Sequence, residues 1–196
     1  ENWNDITQPG TSKKLDGVPG AFMYMAHYRS FGSYNSVALC HSVDVDLSPS
    51  IRSEIRWYEL HQESGVWKIN QQSTYGPDND SRWMGSIAMD RQGNIGLGYS
   101  VSGSSTYPSI RFTGRKNGDD LSEMTISESN AFNGTGVQTN TNRYGDYSHM
   151  TLDPSDGLTF WYTGEFMGQS GWETGIFSFK IGDENDYDVS LIELVA

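Results

Sequence analysis

Along most of the chain, short runs of apolar residues alternate with polar ones at a period of two, and Gly, Pro, Asn, Asp or Ser bounds each run. That pattern predicts half-buried β-strands joined by tight turns. One unit stands out because it occurs twice. SIAMDRQGNIGLGYS (Ser86 to Ser100) and HMTLDPSDGLTFWYT (His149 to Thr163) align without a gap at an offset of 63 residues. In each, a short apolar strand ends at an Asp (Asp90, Asp153), a polar turn follows, and a second alternating strand ends in Tyr-Ser or Tyr-Thr. Gly93-Asn94 and Asp156-Gly157 supply residues that tolerate left-handed backbone, so both units predict β-hairpins. A weaker first copy, Phe22 to Ser42, has the strand, turn and strand but lacks the Asp.

A third and a fourth strand are expected after each hairpin. They fall at Ser53–Leu60 and Val66–Tyr75, at Pro108–Arg115 and a ragged Leu121–Phe132, and at Glu173–Ile181 and Asp188–Val195. Four-stranded antiparallel units repeating in this way predict an all-β protein of about three propeller-type blades, at 21–80, 81–140 and 141–196. A β-sandwich built of meanders is the competing architecture. Residues 1–20, with Gln8-Pro9-Gly10 and Gly17-Val18-Pro19-Gly20, are expected to be a linker or N-terminal segment ahead of a propeller-like domain at 21–196. Propellers typically close with four to eight blades. Three blades therefore imply further N-terminal blades of the same precursor, or another copy of the chain, as partner.

The strings RWMGSIAMDRQGNIGLGYSVSGSSTYPSIRFTGR (Arg82 to Arg115) and NRYGDYSHMTLDPSDGLTFWYT (Asn142 to Thr163) resemble the C-terminal region of large secreted bacterial proteins of uncharacterised function. The resemblance spans about residues 57 to 181. It departs from the family pattern at Tyr144, where a Trp is expected, and at Gly157-Leu158, where an acidic residue and a Cys are common. The turn after each first strand also resembles a degenerate Asp-box, the hairpin of sialidases and other propellers, which is structural there and speaks for fold and not catalysis. The resemblance implies a secreted or cell-surface location.

Composition narrows the function classes. Acidic residues number 25 against 13 basic ones, a net charge of −12, and the basic residues are scattered, which argues against nucleic-acid binding. No apolar run is long enough for a membrane-spanning helix, and the opening ENWNDITQPG has the features of no uncleaved signal peptide. The single cysteine, Cys40, excludes an internal disulfide and a thiolate zinc cluster. The four histidines are dispersed, and Gly96 and Gly98 lie within a strand that precedes no helix, so neither a metal nor a dinucleotide motif is formed. Acidic clusters at Asp44/Asp46, Asp78-Asn79-Asp80, Asp153/Asp156 and Asp183 to Asp188 read as turns with Asx hydrogen bonds, with calcium as the alternative occupant.

Position suggests the site. In a propeller, the segments leading into the first strands line one end of the central channel. Here they are Arg82-Trp83-Met84-Gly85-Ser86 and Arg143-Tyr144-Gly145-Asp146-Tyr147-Ser148. Arg82, Trp83, Arg143 and Tyr144 would then converge as two Arg–aromatic pairs, with Arg115 closing a strand nearby and Asp146, Tyr147 and His149 alongside. Guanidinium forks bind carboxylate or sulfate, and aromatic faces stack on sugar rings, so the set predicts binding of an anionic glycan. In the competing reading Arg143 pairs with Asp146, while Trp83 and Tyr144 pack between blades. A glycosidase would need a carboxyl pair such as Asp146 and Glu165, the latter expected at the opposite end of its blade. A lyase would need a base such as His149 or Tyr147. The sequence thus leads to a non-enzymatic secreted binding or adhesion module. Its alternatives are a fragment of a sialidase-like or lyase-like enzyme, and a purely structural assembly domain.

Overall fold

The computed structural model describes residues 4–45, 52–182 and 187–192, and every regular element among them is a strand. A short ribbon pairs β1 (Asn4–Ile6) with β2 (Leu15–Asp16). Three four-stranded antiparallel sheets follow, each a simple meander. The first holds β3 (His27–Ser30), β4 (Asn35–Asp44), β5 (Ser53–Glu63) and β6 (Val66–Tyr75). The middle sheet holds β7 (Ser81–Met89), β8 (Ile95–Ser102), β9 (Ser109–Arg115) and β10 (Ile126–Phe132). The third holds β11 (His149–Leu152), β12 (Phe160–Met167), β13 (Trp172–Ile181) and β14 (Tyr187–Ile192). The chain is all-β, and its sheets stack as propeller-like blades, with the middle one covered on both faces.

Alternation decides which residues cover which neighbour. In β4, Ala38 and Cys40 point towards the middle sheet, where with Ile55 and Trp57 they meet Ile87, Met89, Ile95, Leu97 and Tyr99. The opposite face of the middle sheet presents Ala88, Ile110, Phe112 and Phe132 to Met150, Phe160, Tyr162, Phe177 and Phe179 of the third. Phe112 sits 5.1 Å from Phe177 and 4.4 Å from Phe179 between ring centroids. Burying a ring of this size stabilises by about 1.5–3 kcal/mol, so this aromatic layer dominates cohesion between the two sheets. The GxG of β8 now has a structural purpose. A Cβ at Gly96 would meet Phe160 at 2.8 Å and one at Gly98 would meet Tyr162 at 2.4 Å, so the glycines let those rings lie flat on the strand.

The segment read as a linker or N-terminal segment holds, in its described part, the β1–β2 ribbon. Its Ile6 and Leu15 are fully buried against Trp83, Met84, Tyr144 and Met167. Polar contacts seal it: Gln8 Nε2 donates to the Gln138 carbonyl (2.9 Å) while the Gln138 amide donates to Gln8 Oε1 (2.8 Å). The Asp16 amide donates to the Asn142 carbonyl at 2.8 Å.

The two clear hairpins differ in detail. Ile87 pairs with Leu97 in the first, whereas Leu152 pairs with Phe160 in the second, so the matching positions slip by two residues and the second turn is longer. An even slip leaves every side chain on its original face, which is why the pattern survives it. Asp90 is buried in the first turn and accepts the Gln92 and Asn94 amides on Oδ1, and burial raises its carboxyl despite those donors. Asp153 caps the second turn, accepting from the Ser155 amide (2.8 Å), and its Oδ2 accepts from the Trp161 indole (3.2 Å).

Candidate functional site

The three sheets are laced at the end where their first strands begin. In β7 the register shifts between Trp83 and Ser86, with Met84 in the left-handed region (φ 50°). Serines of the flanking sheets hold this bulge from both sides. The Met84 amide donates to Ser42 Oγ (3.3 Å), and Ser148 Oγ donates to the Met84 carbonyl (2.6 Å). Ser86 Oγ in turn donates to the Tyr24 carbonyl (3.3 Å) and accepts the Met150 amide (2.8 Å). These bonds bring the lead-in segments of the first and third sheets together across the middle one, and the Tyr24 and His149 rings lie 5.3 Å apart.

Between those segments runs a groove of about 510 Å³ lined by Phe22, Met23, Tyr24, Asp146, Tyr147, Ser148 and His149. Its aromatic residues are unusually open to water: Phe22 is 62%, Tyr24 66% and Tyr147 93% exposed. Phe22 is steadied by edge contact with the His41 ring at 5.0 Å, and the Met23 amide donates to the Cys40 carbonyl. A second groove of about 490 Å³, lined by Asp16, Val18, Pro19, Gly20, Ala21 and Arg143, lies on the other side of the Arg143–Asp146 ion pair.

The site residues expected from sequence divide sharply. Asp146, Tyr147 and His149 line the first groove, and Arg143 lines the second. Arg82, Trp83, Arg115 and Tyr144 are all buried and do not belong to a ligand surface. Arg82 donates through Nε and Nη2 to Glu128 (2.8 and 3.0 Å) and through Nη1 to Asp78 (2.8 Å). Tyr99 also donates to Glu128 (2.7 Å), as does Arg111 (2.8 Å). Burial alone would raise the Glu128 carboxyl, but these donors outweigh it and hold the group below its ordinary range. Arg115 spends its guanidinium on the carbonyls of Asp119, Asp120 and Glu123, closing the turn after β9. Trp83 and Tyr144 pack together at 5.8 Å under the N-terminal ribbon. The two arginines share one physical reason. A guanidinium on an inward-facing strand position is desolvated, and only carboxylates or carbonyls of the chain itself can compensate it there.

Arg143 remains at the surface but is neutralised, its Nη2 donating to Asp146 Oδ2 at 2.7 Å and its Nε to both carboxylate oxygens. Glu165 lies at the same end as the lead-in segment, not the opposite one, and its Oε2 accepts the Gly145 amide (3.1 Å). In an antiparallel hairpin the end of the second strand lies beside the start of the first, as the pairing of His149 with Thr163 shows. Sequence reasoning missed Phe22, Met23 and Tyr24. They lead into β3 as Asp146–Ser148 lead into β11, and the weakness of the first repeat copy hid that equivalence.

The acidic clusters at Asp78-Asn79-Asp80 and Asp153/Asp156 serve turns. Asp78 accepts from Arg82 and the Asp80 amide, and Asp156 accepts from the Leu158 and Thr159 amides and pairs with Lys180 (3.0 Å). Among the described residues no group of three or more His, Cys, Asp or Glu is placed to hold a metal ion. Of the cluster from Asp183 to Asp188, residues 183–186 lie outside the described residues, as does Asp46. Cys40 is buried between the first two sheets, and burial pushes its thiol up to about 12. No helix among the described residues is long and apolar enough to cross a membrane. No protein-family model matches the chain, and no curated protein is significantly similar to it.

Proposed function

We propose that this chain is a non-enzymatic binding module of a secreted or cell-surface protein, and that the groove between the lead-in segments takes a neutral oligosaccharide. The observation that carries this reading is the open platform of Phe22, Tyr24 and Tyr147 beside the polar groups of Asp146, Ser148 and His149. Exposed aromatic faces stack on the apolar faces of sugar rings, and nearby donors and acceptors orient the hydroxyls. The two grooves flanking the Arg143–Asp146 pair suit an extended ligand of several sugar units. Charge argues against the anionic glycan expected from sequence. Arg82 and Arg115 are consumed inside the fold, Arg143 is neutralised, and a net charge of −12 repels a polyanion.

A panel of neutral and anionic oligosaccharides screened by calorimetry tests the reading. A neutral ligand should bind, and Tyr24→Ala or Tyr147→Ala should each weaken it at least tenfold, about 1.4 kcal/mol, while Trp172→Ala, at an exposed position that lines neither groove, leaves it unchanged. Binding that ignores both tyrosine substitutions, preference for sulfated or uronic chains, or release of shortened products would refute it.

A further inference from the structure

Each sheet has one face looking back towards the sheet before it and one looking forward. On the backward face of the middle sheet stand Ile87, Leu97 and Tyr99, and at the matching repeat positions of the third stand Met150, Phe160 and Tyr162. All six are buried, under the first and the middle sheet respectively. The backward face of the first sheet follows the same plan. Tyr28 pairs with Val37, Val37 with Leu60, Leu60 with Ile69, and Leu39 with Tyr58, giving a continuous apolar surface across all four strands. No described sheet covers it, and Tyr28 and Ile69 are 57% and 54% exposed.

The two buried interfaces also show what such a face meets. At each, the backward face of one sheet seats on the forward face of the sheet before it, and large side chains of either face enter gaps left by small residues of the other. Phe160 and Tyr162 lie on Gly96 and Gly98, and Ile55 beside Cys40 packs at Gly85 of the bulged β7. Among the described sheets the remaining forward face belongs to the third. Its alternate positions hold Thr151, Thr163, Ser178, Ile176 and Trp161, mostly small or β-branched. Charge agrees. On the first sheet Arg56 donates to the neutral Thr74 and Gln72, while the third sheet's face carries Glu165 and a Lys180 already paired with Asp156.

We infer that the open face of the first sheet docks the third sheet of a second copy of this chain, head to tail, so that two copies close into a six-sheet ring. A four-stranded face with strands about 4.8 Å apart and roughly nine residues long covers on the order of 550 Å². One such contact falls short of the roughly 800 Å² that each partner gives to a standard interface, whereas a closed pair uses both faces of each copy and exceeds it. Six sheets also lie within the range of closed propellers. Large-on-large contact between two first sheets would lack the small receiving residues seen at both internal interfaces.

Light scattering of the purified chain as a function of concentration tests this. The expected mass is twice that of the chain, and Ile69→Glu and Thr163→Glu should each reduce it to one chain with unchanged circular dichroism. Both positions lie on outward faces, and mixing the two variants should restore a weaker pair, because one of the two contacts stays intact. A wild-type chain that stays monomeric at every concentration overturns the proposal. So does a dimer lost on Ile69→Glu but indifferent to Thr163→Glu, since it would use the first sheet on both sides.

Discussion

At the scale of single residues, the chain's histidines and arginines take roles set by desolvation and not by type. His27 illustrates this. Its Nδ1 accepts the Met89 amide at 3.3 Å, and burial, helped by Arg29 and by His149, lowers its pKa to about 4. The folded protein therefore keeps His27 neutral where an unfolded chain would protonate it, at about pH 6.5. The stability this gives is complete above the unfolded value and is lost progressively as the pH falls from 6.5 towards 4, because only the unfolded state takes up the proton. Urea midpoints across that interval should fall with acidification. In His27→Asn, which keeps an acceptor but cannot titrate, the slope should be shallower, and an unchanged slope would show that the imidazole is solvated.

Within the elements, the controlling feature is how closely strands of adjacent sheets approach. Gly98 is constrained by the Tyr162 ring and not by its own backbone, since a Cβ there would come within 2.4 Å of it. Gly98→Ala should therefore destabilise by about 1–3 kcal/mol, the usual cost of overpacking a dense interior. Thermal unfolding checks the figure. Gly118→Ala, at a turn where a Cβ meets nothing but the backbone is left-handed (φ 96°), separates conformational strain from crowding. Hairpin register belongs to this scale as well. The longer turn after Asp153 shifts pairing by two residues relative to the hairpin at Asp90, and neither apolar face changes sides.

For the whole molecule, the N-terminal ribbon is part of the folded unit. Ile6 and Leu15 cover Trp83 and Tyr144, and Gln8 exchanges two hydrogen bonds with Gln138. Removing residues 1–16 should cost about 3–6 kcal/mol from the two aliphatic side chains alone. It should also wet the indole of Trp83, which is fully buried in the intact chain. The observable outcomes are a lower unfolding temperature and a red shift of tryptophan fluorescence. A truncated chain as stable as the full one would mean that the ribbon adds no net stability.

The sequence by itself determined the strands, the hairpins at Asp90 and Asp153 and the three-fold repetition of the four-stranded unit, because period-two alternation and turn chemistry are local properties written residue by residue. It also carried three of the groove's seven lining residues, Asp146, Tyr147 and His149, through their position at the entry to a first strand. Tertiary structure alone decided which arginines reach solvent. Arg82 and Arg143 look alike in sequence, yet one is clamped by Glu128 across 46 residues and the other sits at the surface against Asp146. It alone joined Tyr24 to His149, and the ribbon to Trp83. Such contacts depend on how sheets stack and on which groups lose water when they do, and neither is encoded at any fixed spacing along the chain.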